Sequence, residues 1–312
     1  MTERLAVIEE RLLDRAAGQT DLVTESAQHI INAGGKRFRP LLVLAASHFG
    51  GAVDEEDLIR AALVVELTHV ASLYHDDVMD DADIRRGAPS ANRQWDNSIA
   101  ILVGDFLFAR ASTTVAELGV DYVLLQAETF ARLVQGQIAE TVGPQGGADP
   151  LDHYLQVVAD KTGSLIATSA LFGGMVSGAT PEVLETLRAY GEEIGIVFQL
   201  SDDIIDITSD VTGKTPGTDL REGVPTLPTL LALRSTDPAD ARLLELIRSD
   251  LADDGALAET ITRLRQHRAI DDARAVVAER AERARRMLDP LPEGPAKDAL
   301  AALCDQVVTR ST

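Results

Sequence analysis

The chain has 312 residues, enough to bury one large core or two ordinary ones. It carries 29 Lys and Arg against 50 Asp and Glu, a net charge of −21, which argues against nucleic acid as a partner and against electrostatic docking on anionic membranes. The one cysteine, Cys304, cannot form an internal disulfide, and the charged N-terminus shows no secretory signal. We therefore predict a cytoplasmic protein without stable membrane insertion.

Apolar residues recur at spacings of three and four along most of the chain, as over residues 58–73. This period, together with abundant Ala and Leu and only 4% aromatic residues, predicts an all-α fold. No repeat, low-complexity tract or linker divides the chain, which favours one helical domain over residues 1–312.

The first break in the helical pattern is a segment rich in basic residues. Residues 34–40 place Lys36, Arg37 and Arg39 beside a glycine pair. Such a run is most often a solvated turn, but next to acidic metal-type clusters it indicates a place for phosphate oxygens.

An acidic cluster, His75–Asp81, follows near the end of a predicted helix. Asp76 and Asp80 are four residues apart and would lie on one helix face, where two like charges are destabilising unless a cation sits between them. Mg²⁺ suits that position, because it is typically held by one or two carboxylates plus substrate phosphates. Arg85 and Arg86 come shortly afterwards.

Lys161 precedes an uncharged run, residues 162–180, which begins with Thr162 and is rich in Gly, Ser and Thr. This run predicts a buried helix and not a membrane span. A second D-D-x-x-D cluster, Asp202–Asp206, then repeats the arrangement of the first. One such cluster in a protein with 50 acidic residues is weak support for a metal site, whereas two copies bordering apolar surface predict one. Acids, a divalent cation and nearby arginines together indicate a diphosphate site.

Residues 208–228 are rich in Gly and Pro and contain Lys214. This composition predicts a long loop, and a loop of that length is usually a lid, a binding segment or disordered.

At these residues the sequence resembles the trans-isoprenyl diphosphate synthases, or polyprenyl synthetases. The resemblance implies an all-α isoprenoid-synthase helical bundle around a central cavity, with the two aspartate motifs facing each other across its mouth. The motifs stand in the family's order: G-G-K-R-x-R-P at 34–40, H-D-D-x-x-D at 75–80, Lys161–Thr162, F-Q-x-x-D-D-x-x-D at 198–206, and Gly213–Lys214 with T-L-P at 226–228.

The resemblance implies a role for each matching residue. Three Mg²⁺ ions per site would hold the allylic diphosphate through six ligands, Asp76, Asp77, Asp80, Asp202, Asp203 and Asp206. Its further diphosphate contacts are Arg85, Lys161 and Lys214, and those of isopentenyl diphosphate are Lys36, Arg39, His69 and Arg86. Thr162 and Gln199 match polar groups near the reacting carbons, while His75 is interpreted as structural.

The activity implied is Mg²⁺-dependent head-to-tail prenyl transfer by a homodimer. An allylic diphosphate ionises, isopentenyl diphosphate attacks the cation, and a proton is lost with release of diphosphate. The loop 208–228 is expected to close over the site. Val224 departs from the family pattern, since many relatives carry a lysine there.

Product length in the family depends on side chains one turn before the first aspartate motif. Here these positions are Ala71 and Ser72, both small. We therefore predict a product longer than farnesyl diphosphate, with a long polyprenyl chain favoured over geranylgeranyl.

Four other interpretations compete with prenyl transfer. A terpene cyclase normally carries Asn, Ser and Glu in its second metal motif, and a head-to-head squalene-synthase-like enzyme would have no use for the box around Lys36. A non-catalytic regulatory subunit tends to lose the aspartates, and an acidic helical scaffold does not account for the cations beside the acids. The motifs favour the prenyltransferase over all four.

Overall fold

The computed structural model describes residues 2–208 and 216–311. Two compact units can be distinguished within the chain. Unit 1 comprises Met1–Ala131, Leu165–Gly191 and Pro290–Ala296, and unit 2 comprises Arg132–Ser164, Glu192–Asp289 and Lys297–Thr312. The single-domain organisation expected from the sequence stays a prediction.

Helices form most of the described chain, as the apolar period predicted. The first eight are α1 (Thr2–Ala16), α2 (Asp21–Asn32), α3 (Phe38–Ala46), α4 (Glu55–Met79), α5 (Ala91–Gln94), α6 (Asn97–Ala116), α7 (Val120–Val142) and α8 (Pro150–Val158). The others are α9 (Ser164–Val176), α10 (Pro181–Thr208), α11 (Thr218–Arg221), α12 (Leu227–Ala232), α13 (Ala241–Ile247), α14 (Asp254–Gln266), α15 (Ala269–Met287) and α16 (Pro295–Ser311). Short 3₁₀ turns occur at Ser47–Phe49 and Pro238–Asp240, and a π-helical turn occurs at Ala159–Gly163.

Helix α4 carries the first aspartate motif at its C-terminal end. Its N-cap is Asp54, whose carboxylate accepts the backbone N–H groups of Glu56 and Asp57, and three acidic residues in its first turn complement the helix dipole. The helix is apolar on nearly all sides and lies buried in unit 1. Gly104 of α6 lies against it so closely that a Cβ there would collide with the ring of His75.

A small hairpin follows α4 that the sequence analysis did not predict. Strands β1 (Ile84–Arg85) and β2 (Ala88–Pro89) pair antiparallel, with Ile84 opposite Pro89. The two residues between them, Arg86 and Gly87, both have positive φ, 54° and 81°, as a type I′ turn requires. The Arg-Arg-Gly sequence therefore forms a tight turn that presents two guanidinium groups.

In unit 2, α8 begins at the N-cap Asp149, which accepts the N–H groups of Leu151 and Asp152, with Pro150 in the first turn. The helix continues through the π-helical turn, which contains Lys161 and Thr162. Gly136 of α7 packs against the backbone of Lys161, where a Cβ would come within 2.7 Å of the amide nitrogen. Such π-turns are frequent at functional sites.

The long loop expected at 208–228 is partly helical, so that expectation was wrong in extent. Gly217, with φ 78°, is the N-cap of α11, and Thr226 is the N-cap of α12 in a capping box with Thr229. Pro228 had been interpreted as a helix breaker, but it lies in the first turn of α12, where proline is tolerated. Lys214 lies outside the described residues.

Helix α6 is long and apolar enough to cross a membrane, with a mean hydropathy of 1.5 over an 18-residue window. Buried helices of soluble proteins have the same length and composition, and one such helix is weak support for a span. The uncharged run 162–180 corresponds largely to α9, which has only 13 residues.

Candidate active site

The first aspartate motif shows a sharp contrast between its members. Asp76 is partly buried and Asp80 is exposed, whereas Asp77 has no exposed surface. Asp80 caps α4, and its N–H still donates to the carbonyl of Asp76 at 2.8 Å, so the helical register holds to the end of the motif. Asp76 and Asp80 therefore project from the same side of the helix, as predicted.

The carboxylate of Asp77 binds Arg85 of the hairpin. Its Oδ1 accepts from Arg85 Nε at 2.6 Å and lies 2.5 Å from Arg85 Nη2. Its Oδ2 has no hydrogen-bond partner among residues 2–208 and 216–311. Burial raises the pKa of Asp77, while the positive charge of Arg85 opposes that shift. Arg85 is thus already engaged with the motif that it follows in sequence.

A group of cationic side chains occupies unit 1 near the Gly34–Arg39 segment. Burial and the charge of Arg86 lower the pKa of Arg39 to about 10, partly offset by Glu66. Arg39 Nε has no hydrogen-bond partner within the described ranges. Burial, followed by the charges of Arg39, Arg86 and other arginines, lowers the pKa of His69 well below its usual value, so this imidazole is neutral at pH 7. This crowding of cations favours an anion as ligand.

Arg37 builds the segment that carries Lys36 and Arg39. It adopts φ 47° and is 8% exposed. Its guanidinium donates to Glu9 of α1 and Glu66 of α4, and to the carbonyls of Ile31 at 2.9 Å and Gly34 at 3.4 Å. Arg37 was grouped with Lys36 and Arg39 as a cation for phosphate oxygens, but its guanidinium binds Glu9 and Glu66 instead. A lysine–arginine run alone does not show which side chain points inward.

Arg86 binds the same segment from the hairpin. Its Nη1 donates to the carbonyl of Gly34 and, at 3.0 Å, to that of Ile30. A Cβ on Gly35 would lie 2.7 Å from Arg37 Nη1 and 3.0 Å from Arg86 Nη1, so only glycine leaves room for both guanidinium groups. Lys36 is exposed at the tip of this segment.

The second aspartate motif, in unit 2, repeats the contrast seen in the first. Asp202 and Asp206 are partly buried, and Asp203 between them is 2% exposed. Asp202 Oδ1 lies 2.5 Å from Arg310 Nη2 of α16, and the same guanidinium stacks over the ring of Phe198. Neither Arg310 nor its position near the C-terminus was identified from the sequence.

Asp203 accepts three hydrogen bonds from unit 2. Tyr154 of α8 donates its hydroxyl to Oδ2, the backbone N–H of Leu227 donates to Oδ2 at 3.1 Å, and Gln199 Nε2 donates to Oδ1 at 3.2 Å. Burial raises the pKa of Asp203 to about 7, although these three donors each oppose the shift. Both oxygens of this carboxylate are therefore engaged with the protein.

Lys161 and Thr162 lie in the π-helical turn with their polar groups engaged. Lys161 Nζ lies 2.5 Å from Glu140 Oε2 of α7. Thr162 Oγ1 donates to Gln199 Oε1 at 3.3 Å, which orients that amide between Thr162 and Asp203. Lys161, Thr162, Gln199 and the second motif are thus brought together within unit 2.

The two positions predicted to control product length, Ala71 and Ser72, are buried in unit 1. Ser72 donates its hydroxyl to the carbonyl of His69 at 2.8 Å. One turn further on, the His75 ring lies 5.6 Å from that of Phe108, which in turn lies 4.3 Å from Phe130. His75 Nε2 is also 3.1 Å from the carbonyl of Ile101, a contact that suits the structural role assigned to it.

The carboxylates suit a hard cation that takes part of its coordination from elsewhere. Within the described ranges, no group of three His, Cys, Asp or Glu side chains is assembled to hold a metal alone. Mg²⁺ is commonly bound by one or two carboxylates together with waters and substrate phosphates, so one carboxylate pair per motif fits such an ion.

An apolar cavity of about 280 Å³ lies in unit 2 and is bordered by Tyr154 and Glu140. It is lined mainly by apolar side chains of α8, α12 and the 220–225 segment, and Tyr154 forms part of its wall. Its lining contains Glu140 but neither Lys nor Arg, which makes it unsuitable for a diphosphate.

The family model described as polyprenyl synthetase matches residues 20–264. The nonaprenyl diphosphate synthase of Mycobacterium tuberculosis is 49% identical over 96% of this chain and 91% of its own length. Among solved structures, geranylgeranyl pyrophosphate synthase from Corynebacterium glutamicum, complexed with calcium and isoprenyl diphosphate, has a TM-score of 0.88 and 44% identity, covering 99% of this chain and 96% of that one. A polyprenyl synthase from Caulobacter crescentus with the same ligands has a TM-score of 0.92 and 31% identity, covering 100% and 96%.

These relatives share the all-helical fold of the isoprenyl diphosphate synthases, which confirms the predicted fold class. Their names span geranylgeranyl and nonaprenyl products, so the names alone do not fix the length of the product made by this chain. The match covers the basic segment, both aspartate motifs and the helices that carry them. The chain belongs to the polyprenyl synthetase family and is a trans-prenyltransferase.

Proposed function

We propose that this enzyme condenses isopentenyl diphosphate with an allylic diphosphate, head to tail and with Mg²⁺, to give a trans-polyprenyl diphosphate longer than farnesyl. The observation that carries the proposal is the repeated exposure pattern of the two D-D-x-x-D motifs. In each motif the middle aspartate is buried, whereas the first and last lie on one helix side and keep some exposed surface, although Asp206 Oδ2 is itself buried. The calcium and isoprenyl diphosphate bound by two related structures support a divalent metal and diphosphate ligands here.

We assign the metal first to the partly or fully exposed residues Asp76, Asp80, Asp202 and Asp206. Asp77 and Asp203 belong to the same predicted ligand set, but their contacts with protein donors favour a supporting role. Mg²⁺ held at these motifs would neutralise the charge that develops on the leaving diphosphate. We also propose three Mg²⁺ ions per site, the number that the family resemblance implies.

The cations divide between the two diphosphates. We assign Lys36, Arg39, His69 and Arg86 to isopentenyl diphosphate, since Arg39 Nε lacks a hydrogen-bond partner within the described ranges and the surrounding charges favour an anion. Arg85 and Lys161 are assigned to the allylic diphosphate, as is Lys214 on the sequence motif alone. Arginine offers bidentate bonds to phosphate, whereas lysine acts as a compact charge.

Thr162 and Gln199 are proposed to face the reacting carbons. Their oxygens are positioned by the Thr162–Gln199 hydrogen bond. Oriented dipoles of this kind stabilise developing charge without reorganising during the reaction. An apolar wall around the substrate tail would exclude water that could quench the allylic cation.

The direct test is a product assay on the purified full-length protein. It receives isopentenyl diphosphate and Mg²⁺ with dimethylallyl, geranyl, farnesyl or geranylgeranyl diphosphate in separate reactions, and mass spectrometry identifies the products. Linear diphosphates longer than farnesyl that vanish with EDTA would support the proposal. Cyclised hydrocarbons would assign a cyclase instead, and no turnover with any primer would overturn self-sufficient catalysis.

Product length should respond to Ala71. The Ala71→Phe substitution should shorten the main product, because a phenyl ring one turn before Asp76 would block a growing tail at that level. The chain length of the product from farnesyl diphosphate measures this. Ser72→Ala is the matched control, since it keeps a small side chain and should leave product length unchanged. An unaltered product from Ala71→Phe would contradict the assignment of this position.

We also propose a homodimer, joined through the exposed side of α6 and the start of α7. From Ile101 to Ala116 the exposed positions of α6 include one charged residue, Asp105. Leu102 is 62% exposed and Val120 is 82% exposed, an unusual amount of apolar surface for an acidic protein. A second copy of the chain would cover this surface, which also accounts for the high hydropathy of α6 without a membrane.

Leu102→Glu should convert such a dimer to monomers, because a buried charge at an apolar interface is costly. Light scattering coupled to size exclusion reports the mass. Leu22→Glu, on an isolated exposed leucine of α2, is the control and should leave the mass unchanged. If the wild-type protein is monomeric, or the Leu102→Glu variant keeps the dimer mass, the interface is elsewhere or absent.

A cytoplasmic location, with no nucleic-acid partner, remains part of this proposal and rests on charge and cysteine content.

A further inference from the structure

The middle carboxylate of the second motif is held by two segments other than its own helix. Tyr154 comes from α8, and the N–H of Leu227 comes from the first residue of α12. Gln199 on α10 completes the set by donating to the other oxygen. Asp203 is 2% exposed and Tyr154 is 9% exposed, so water competes little for these bonds.

The second motif lies at the C-terminal end of α10, where hydrogen bonds to Asp203 can restrain the last turns of the helix. The helix ends at Thr208, so Asp202, Asp203 and Asp206 all lie in its last two turns. Helix ends fray, because their final carbonyl groups lack intrahelical partners. A fixed side chain at Asp203 restrains both the rotation and the unwinding of these turns, and the neighbouring carboxylates move with the same backbone.

Tyr154 suits this task better than a shorter donor. Its rigid ring carries a single hydroxyl donor at the end of a side chain with two rotatable bonds, so little conformational freedom is lost on ordering. It also stands seven residues before Lys161 on one continuous helical run, α8 with its π-helical turn.

We infer that Tyr154 is a positioning residue for the second metal motif, which holds Asp203 so that Asp202 and Asp206 present their carboxylates to a divalent cation. This inference rests on the proposed function, because it assumes that the motif binds metal with diphosphate. Removal of a residue that orients metal ligands by hydrogen bonding typically changes metal affinity or activity 10–100-fold. A residue that only filled space would not change metal affinity in this way.

The test compares Mn²⁺ binding by the full-length wild type and the Tyr154→Phe variant. Mn²⁺ is titrated in the presence of inorganic diphosphate, and the free ion is measured by electron paramagnetic resonance. We expect the affinity of Tyr154→Phe to fall about 10-fold or more, with unchanged helical content by circular dichroism. Tyr190→Phe is the matched control, since it removes the hydroxyl of a tyrosine that is fully buried and lies on α10, twelve residues upstream of Asp202. Its affinity should stay within about twofold of wild type, and equal affinity in all three proteins would overturn the inference.

A second measurement needs no variant. The Leu227 amide should exchange its hydrogen as slowly as amides in the interior of α10, because its N–H is donated to Asp203. Rapid exchange of this amide would overturn the inference even if Tyr154→Phe did not fold.

The outcomes separate this inference from the function on which it rests. A wild type that makes polyprenyl diphosphates, with Tyr154→Phe binding Mn²⁺ normally, would overturn only the role of Tyr154. A wild type that binds Mn²⁺ and diphosphate but forms no product would overturn the proposed function, while the Tyr154 comparison would still decide the inference. Absence of Mn²⁺ binding by the wild type would overturn both.

Discussion

Asp76→Asn and Asp202→Asn should each lower turnover by about three orders of magnitude. Either change removes one negative charge from a carboxylate pair and replaces one accepting oxygen by an NH₂ donor, while conserving side-chain size. Loss of one strong electrostatic contribution to the departing diphosphate corresponds to about 3–4 kcal/mol, and each 1.36 kcal/mol is a tenfold change in rate. Steady-state product formation at saturating substrates, over a range of Mg²⁺ concentrations, measures the loss.

Asp81→Asn is the control for this prediction. Asp81 directly follows the first motif, but its carboxylate is exposed and pairs with Arg93 at 3.1 Å. Its φ of 48° is tolerated by asparagine, so the backbone should not change. The control should retain wild-type turnover. Equal activity of Asp76→Asn and Asp81→Asn would contradict metal binding at the first motif.

Arg37→Ala should lower the free energy of unfolding by about 3 kcal/mol or more. The side chain is 8% exposed and its partner Glu66 is 2% exposed, so truncation leaves a buried carboxylate without this cation. Breaking a buried ion pair from one side typically costs about 3–5 kcal/mol. The carbonyls of Ile31 and Gly34 also lose their contacts with the guanidinium. Urea denaturation followed by circular dichroism measures the change.

Two further variants establish the cause of this destabilisation. Arg11→Ala removes an exposed partner of Glu56 at 3.2 Å and should cost less than about 1 kcal/mol. The double variant Arg37→Met/Glu66→Met removes both buried charges and should regain part of the lost stability. If Arg37→Ala were as stable as Arg11→Ala, the buried ion pair would not stabilise the fold.

Helix positions could be predicted because their signals are local. In α4, an apolar period follows a run of acidic residues, and the motif at its end lies where the pattern placed it. The hairpin at Ile84–Pro89 was missed, since two-residue strands have no period to detect and Arg86 is an uncommon residue at positive φ. The segment 216–228 was predicted as a loop because glycine and proline break the interior of a helix. Both residue types also occur at helix starts, and here Gly217 precedes α11 and Pro228 lies in the first turn of α12.

The acidic members of the site could be predicted from spacing, but their different environments could not. The sequence treats Asp202 and Asp203 alike, although one lies next to Arg310 and the other is enclosed by Tyr154 and Leu227. Those partners come from 24 to 108 residues away, a separation at which sequence patterns carry no information on contact. Glu140 was missed for the same reason.

On the proposed function, the ion pair between Lys161 and Glu140 would influence the release of diphosphate. On the proposed function, Lys161 exchanges the carboxylate for a phosphate oxygen when substrate arrives, and returns to it when diphosphate leaves. Glu140, whose carboxylate lies 2.5 Å from the ammonium group, would then compete with the product for Lys161. A carboxylate fixed in this way lowers the net gain from binding diphosphate, which speeds its escape and limits inhibition by product as it accumulates over successive additions to one growing chain.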